Sequence, residues 1–298
     1  MPQPIRSRVP LNEIIVCPVC QAELDGVRCT GCDRVYTRVG EVLDLTPDPP
    51  PDEEVRRRWG LWEELQANGK RAYESFPSGN LAIGEHEDAI AFGRFCRLAG
   101  RVLDVGCGPQ EMPSYASEFR GDLLGIDPLL GTQPRRFAFI KGIAEYLPFR
   151  DASFDQVLFA TSIDHMLSPR MSAAEAARVT KPGGAVLVWH GESEPTRREA
   201  LLDSAQTLRR GDVRAAGRQL VEALKPTPKR ATTWMRTDDG LLEFDIPDGA
   251  VDAFHVEHPG RATVIDWLVN AGLEIEEIDD ISLPGSSMIR SRRVRKLS

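Results

Sequence analysis

The 298 residues carry a net charge of −8, with 41% hydrophobic and 28% charged side chains. This is the balance of a globular chain with room for an α/β domain and a smaller companion, and no apolar run nears the ~20 residues a membrane helix needs. The acidic surplus also argues against a broad nucleic-acid surface, which requires clustered Lys and Arg.

The opening residues, "MPQPIRSRVPLNEIIVCP", lack the apolar centre of a signal peptide, so the expected compartment is the cytoplasm. They lead into "CPVCQAELDGVRCTGC", where Cys17, Cys20, Cys29 and Cys32 form two C-x-x-C pairs separated by eight residues. Two such pairs close a tetrahedral thiolate cage on a structural Zn2+, and disulfides are the weaker alternative in a cytosolic chain. Asp25-Gly26 supplies the turn between them. "DRVYTRVGEVLDLTP" reads as a second hairpin, so residues 1–46 are expected to form a small zinc ribbon. Four sulfurs leave no open position on the metal, which assigns the ribbon to folding, docking or recognition. Cys96 and Cys107 are isolated and read as packing residues.

"TPDPPPDEE", rich in proline and acid, reads as a stiff linker between the ribbon and the rest of the chain. Within 47–100, "EEVRRRWGLWEELQANGKRAYESF" and "GEHEDAIAFGRFCRLAG" show helical spacing. Such helices cover either a cofactor or a sheet edge.

From Arg101 strands and helices alternate: "RVLDVG", a helix from about Pro109, "DLLGID", "FAFIKG", "FDQVLFA", a helix over "SAAEAARVT", and "GAVLVWH". Alternation of this kind predicts an α/β fold, a doubly wound, mostly parallel sheet with its ligand at the carboxyl ends of the strands. The site is expected where "VLDVGCGPQ" ends. Gly106 and Gly108 begin a dinucleotide fingerprint, but its third glycine is replaced by Glu111, a carboxylate that at a helix start would repel a pyrophosphate. Asp104 likewise suits a cofactor bearing an amino group and a sulfonium better than one bearing phosphates.

With these residues in place, the stretch from about 101 to 190 resembles the class I S-adenosylmethionine-dependent methyltransferases. "VLDVGCGPQ", "LLGIDP", "GIAEYLPFRDASFDQVLFA" and "ARVTKPGGAVLV" follow one another in that family's order. The resemblance implies a Rossmann-like sheet of seven strands and S-adenosyl-L-methionine as methyl donor. It assigns Asp104 to the methionine end, Gly106 and Gly108 to close backbone approach, and Asp127 to both ribose hydroxyls. Where the family commonly places an aspartate for the adenine amino group, this chain has Ile143, leaving the backbone at Ala144 and Glu145, with Ile143 packing, to hold the base. Tyr36, Gly40 and "EVLDL" resemble the zinc ribbons fused ahead of some bacterial methyltransferases.

An alcohol acceptor must lose a proton, and histidine is the common base. "TSIDHML", after the fourth strand, offers His165 for that role, with Asp164 orienting it or binding substrate. His190, at the end of "VLVWH", is a second histidine expected to face the pocket. "DAFHVEHPG" supplies His255, Glu257 and His258, read as a substrate-binding loop ahead of a divalent-metal site. Residues from about 191 to 260 exceed the minimal fold and are expected to form an acceptor lid, with a helical piece "REALLDSAQTLRRGDVRAAGRQLVEAL" and a hairpin "TTWMRTDDGLLEFDI". "LEIEEIDDISLPGSSMIRSRRV" reads as an antiparallel strand pair closing the sheet. The last thirteen residues carry five basic groups and no acid, leaving −13 on the first 285, and read as a solvated strand and tail.

The favoured function is O-methylation of a small-molecule, sugar or natural-product hydroxyl. Two others stand beside it: a ribosomal RNA guanine-N1 methyltransferase using the ribbon for RNA, and a non-catalytic binding module. The expected partner is a small-molecule acceptor, with nucleic acid disfavoured but left open and no membrane.

Overall fold

A computed structural model describes residues 11–77, 87–131, 134–191, 213, 217, 232–280 and 286–294. Apolar runs bounded by turns produce the strands: β1 (Leu24–Asp25), β2 (Arg28–Cys29), β3 (Thr37–Val39), β4 (Val42–Asp44), β5 (Arg101–Val105), β6 (Asp122–Asp127), β7 (Ala138–Lys141), β8 (Phe154–Ala160) and β9 (Thr180–Gly191), followed by β10 (Thr232–Thr237), β11 (Gly240–Asp245), β12 (Leu273–Asp280) and β13 (Ser286–Arg293). The described helices are α1 (Glu53–Ser75), α2 (Glu87–Cys96), α3 (Pro169–Val179) and α4 (Arg261–Asn270).

Nine strands form the central sheet, in the order β12-β13-β9-β8-β5-β6-β7-β4-β3. β5 pairs in parallel with both β6 and β8, while β13 runs antiparallel to β9 and β12. Val102, Leu103, Asp104 and Val105 are all buried, as befits a central strand covered on both faces. The chain moves from β5 outward through β6 and β7, then returns to the other side of β5 for β8 and β9. A crevice therefore opens at the carboxyl ends of β5, β6 and β8, where such sheets bind ligands.

The expected seven strands are present, extended by β3 and β4. That extension corrects the expectation of a separate ribbon. Asp44 of β4 is in parallel register with Lys141 of β7, and the two side chains form a 2.6 Å ion pair. Leu45 N donates to Lys141 O at 2.8 Å, Val16 N to Pro148 O at 3.0 Å, and Arg150 N to Ile14 O at 2.9 Å. Cys17, Cys29, Tyr36 and Leu45 share a continuous apolar core with Leu103, Ile140 and Phe149. Both ribbon hairpins form as expected, with Gly26 and Gly40 at positive φ in their turns.

The helix expected from about Pro109 is a second correction: only a 3₁₀ turn, Ser114–Ala116, follows the glycine loop. Pro109 and Pro113 remove amide donors, and Pro113 restricts the residue before it, so the segment has no continuous helical ladder.

The cap helices divide their work. α2 packs Phe92, Phe95 and Cys96 against Val102 and Leu158 on the sheet, whereas α1 roofs the crevice with Trp62, Leu65 and Tyr73. α1 starts cleanly because Asp52 accepts from Glu54 N at 2.8 Å and Val55 N at 3.0 Å. The β10–β11 hairpin forms as expected and packs on α1, where Asn68 Nδ2 donates to Asp245 O at 3.2 Å and Asp238 N to Ser75 O at 3.1 Å. The helical piece expected near 198–224 lies outside the described residues, apart from 213 and 217. Among the basic residues of the terminal stretch, Arg290 donates to Cys96 O, Arg292 pairs with Glu276 and Arg293 donates to Arg178 O. These three guanidinium groups are engaged within the fold along β13.

Candidate active site

A cavity of about 440 Å³ occupies the crevice, beneath α1 and between the loops that follow β5, β6 and β8. Gly106, Gly108, Asp127, Ile143, Ala144 and Glu145 all line it, so the structure gathers six of the seven expected cofactor residues on one cavity. Gly106 and Gly108 have φ of +73° and +66°, and a Cβ on Gly106 would lie 2.5 Å from the Ser162 Cβ. The loop thus needs glycine both for its turn and for close approach to the segment after β8.

Asp104, the seventh, sits just below the loop. It is fully buried, accepts a 2.7 Å hydrogen bond from Tyr115 Oη on Oδ2, and has no hydrogen-bond partner on Oδ1. Burial pushes its carboxyl up to about 7 despite the Tyr115 donor. Asp127 ends β6 and holds the loops together, accepting from Gly108 N on Oδ2 and from Leu129 N on Oδ1, each at 2.7 Å. Burial raises it to about 6 against those two amides. A buried carboxylate oxygen with no partner beside a glycine cradle suits a ligand carrying positive charge.

Glu111 is paired with Arg136 at 2.5 Å, and no helix starts there. The repulsion of a pyrophosphate inferred for Glu111 is therefore removed, and the preference for a cationic cofactor rests on Asp104, because an acid at the end of β6 serves the ribose of either cofactor class. Glu145 also uses its side chain elsewhere: Oε1 accepts from Ser168 N at 2.9 Å, at the start of α3. Glu145 is nevertheless among the residues lining the cavity.

Several residues that local spacing did not disclose complete the site. Arg135, largely buried, donates to Gly108 O and Leu129 O at 2.9 Å each and to Leu130 O, tying the glycine loop to the loop after β6. Its guanidinium lies 3.5 Å over the Phe139 ring. Tyr73 reaches down from α1 until its hydroxyl is 3.1 Å from where a Gly108 Cβ would be. Trp189 lines the cavity and packs on Phe92 at 5.7 Å.

The expected catalytic residues follow β8, in the segment that meets the glycine loop. His165 lines the cavity, and its Nδ1 is 3.2 Å from Phe254 O. A proton on Nδ1 shared with that carbonyl leaves the Nε2 lone pair free. Burial holds the imidazole below its ordinary pKa, with Asp164 working in the opposite direction. Asp164 does not hydrogen-bond His165: its Oδ2 is 3.7 Å from His255 Nε2, and its Oδ1 is buried without a hydrogen-bond partner. The orienting contact expected from Asp164 is thus made by Phe254 O. His255 stacks on His165 with ring centroids 4.2 Å apart. Glu257 is exposed, and Asp252 takes the place expected of it beside His255 and His258. His190 corrects a further expectation, because it is buried opposite Ser287 of β13 and the cavity is lined by the adjacent Trp189.

In the ribbon, the four cysteine sulfurs lie within 4.8 Å of one another. Gly31 N and Cys32 N donate to Cys29 Sγ at 3.3 and 3.4 Å, an amide pair of the kind that holds a metal-bound thiolate. Cys96 and Cys107 are buried and free, as expected of packing residues.

Residues 103–188, which run from within β5 to within β9, match the family model described as a methyltransferase domain. The chain is 28% identical over 187 residues to the sterol 24-C-methyltransferase of Schizosaccharomyces pombe, covering 56% of this chain and 48% of that protein. It is 37% identical over 94 residues to the demethylmenaquinone methyltransferase of Renibacterium salmoninarum, covering 30% and 40%. The chain thus spans less than half the length of either curated relative. Among solved structures, the 1,6-didemethyltoxoflavin-N1-methyltransferase of Burkholderia thailandensis, with 1,6-didemethyltoxoflavin and S-adenosylhomocysteine bound, aligns at 11% identity. That alignment has a TM-score of 0.49 and covers 87% of this chain and 99% of that one. No described helix is long and apolar enough to cross a membrane.

Proposed function

We propose that the chain is an S-adenosylmethionine-dependent methyltransferase that methylates a hydroxyl of a small molecule, with His165 as the group that takes the acceptor proton. The observation that carries the reading is the cavity itself. Asp127, the glycine loop, Ile143 and His165 all line it, and the glycine loop lies directly against the segment that carries His165.

When bound, the cofactor supplies a methyl group on a sulfonium. Asp104 Oδ1 provides the negative charge that such a cation requires, Asp127 accepts from the ribose hydroxyls, and Gly106 and Gly108 admit the cofactor to the backbone. Ile143 offers an apolar surface to the base in place of a carboxylate. α1 and the β10–β11 hairpin exclude water over the reacting atoms, and alignment with water exclusion supplies much of the rate of an in-line displacement. His165 Nε2 receives the hydroxyl proton while Phe254 O holds Nδ1–H. The relatives named for a sterol and a quinone support a small-molecule acceptor. The acidic charge, and the use of Arg290, Arg292 and Arg293 within the fold, weigh against an RNA acceptor.

Zinc belongs to the same reading. The four ribbon thiolates would hold it in a closed site, where it stabilises the fold.

Labelled cofactor incubated with the protein and fractionated cell extract tests the reading. Label in the small-molecule fraction is expected; label confined to RNA or protein would overturn the acceptor class.

A further inference from the structure

The loop between β11 and α4 carries a second constellation, on the far side of the His165–His255 stack. Asp252 Oδ2 lies 2.9 Å from both His255 Nδ1 and His258 Nε2. The other carboxylate oxygen accepts from Phe254 N at 2.7 Å and His255 N at 2.9 Å, which fixes the carboxyl plane. We propose that Asp252, His255 and His258 bind a divalent transition-metal ion of the zinc, cobalt or nickel class, which staples this loop behind His165.

Two imidazoles and one carboxylate are donors suited to such ions rather than to magnesium or calcium, which prefer oxygen. Metal bonds of about 2.1 Å place neighbouring donors about 3.0–3.4 Å apart, so the two Asp252–histidine contacts need to open by only a few tenths of an ångström, and all three donors lie within 4.8 Å of one another. Three ligands from a seven-residue segment leave further positions for water, and the graded exposure provides an entry path: the His258 side chain is 36% exposed, Asp252 24% and His255 18%.

The surroundings of His255 add an independent observation. With a metal on Nδ1, the ring proton resides on Nε2, which faces Asp164 Oδ2 at 3.7 Å. An acid directed at the remaining ring nitrogen is the usual outer partner of a metal-bound histidine, fixing its tautomer. The consequence reaches the active site through one residue. Phe254 lies between the first two ligands, and its carbonyl sets His165 Nδ1, so a metal here fixes the backbone that orients the proposed base.

The test uses the full chain with its ribbon loaded with zinc, titrated with Co2+ and followed by visible absorption. One added equivalent giving a d–d band without thiolate charge transfer is expected. Asp252→Asn should abolish the band, and His258→Ala should weaken binding by at least about tenfold. Circular-dichroism melting of the partly exposed His258→Ala variant checks its fold, and Cys29→Ser should leave the band in place. Absence of a saturable band, equal binding by folded His258→Ala, or loss of the band with Cys29→Ser alone would overturn the proposal. Each readout is independent of turnover, so it fails separately from the assignment of methyl transfer.

Discussion

Tyr115 Oη donates a 2.7 Å hydrogen bond to Asp104 Oδ2, while Asp104 Oδ1 is buried without a hydrogen-bond partner. One oxygen of the carboxylate is therefore fixed by the fold, while the other has no partner within it. Asp104→Asn is expected to weaken S-adenosylmethionine binding by roughly 10–100-fold, the worth of a buried charged hydrogen bond, with a smaller loss for Tyr115→Phe. Calorimetric titration of both variants measures this.

The same acids predict a pH dependence. Burial raises Asp104 to about 7 and Asp127 to about 6, so in the ligand-free protein both hold protons at mildly acidic pH. A cationic ligand favours their ionised forms and expels those protons, so affinity should rise with pH and level off above about 7. Stability of the ligand-free fold runs the other way. The native state binds protons more tightly than the unfolded chain, so the acids' contribution falls as pH rises from about 4 to about 7. Binding and melting across this range, with Asp104→Asn as the control, check both signs.

Arg135 donates to the carbonyls of Gly108, Leu129 and Leu130. Its loss frees two cofactor loops at once and leaves three acceptors to find other partners. Arg135→Ala should weaken cofactor binding by about tenfold or more, and Arg135→Lys should restore it only in part, because one ammonium cannot reproduce the planar fork. Binding titrations of the two variants decide.

His165→Ala should retain cofactor affinity yet lose turnover by roughly 10²–10⁴-fold. Near-normal turnover with a hydroxyl acceptor would remove His165 from the mechanism.

Because the ribbon core is continuous with the sheet, zinc binding should stabilise more than the ribbon. Cys29→Ser is expected to abolish zinc in the ribbon and lower the melting temperature by roughly 5–10 °C. Metal analysis paired with calorimetry tests this, and zinc loss without a shift in melting would show that ribbon and sheet are energetically separate.

What could be read from the chain was what lies close in sequence. Asp104, Gly106, Gly108 and Asp127 stand at fixed distances along a strand, loop, helix or turn, and strand, so their meeting is legible in one dimension. Arg135, Tyr115 and Tyr73 enter the same site through packing, and no local pattern marks them. His190 illustrates strand parity: a one-residue difference exchanges the two faces of a strand, so Trp189 lines the cavity and His190 does not. The helix expected at Pro109 rested on alternation, and two prolines overruled it. The union of ribbon and sheet depends on β4 meeting β7, about one hundred residues later, and the cysteine spacing contains no trace of that pairing.

The proposed chemistry stands or falls on a sulfonium cofactor held by the glycine loop and its acids. Calorimetric titration of the purified chain with S-adenosylmethionine, and separately with a nicotinamide dinucleotide, decides between the two cofactor classes. One equivalent of S-adenosylmethionine should bind, at least about tenfold more weakly in Asp127→Asn, and the dinucleotide should show no saturable binding. Saturable binding of the dinucleotide with none of S-adenosylmethionine would refute the sulfonium assignment.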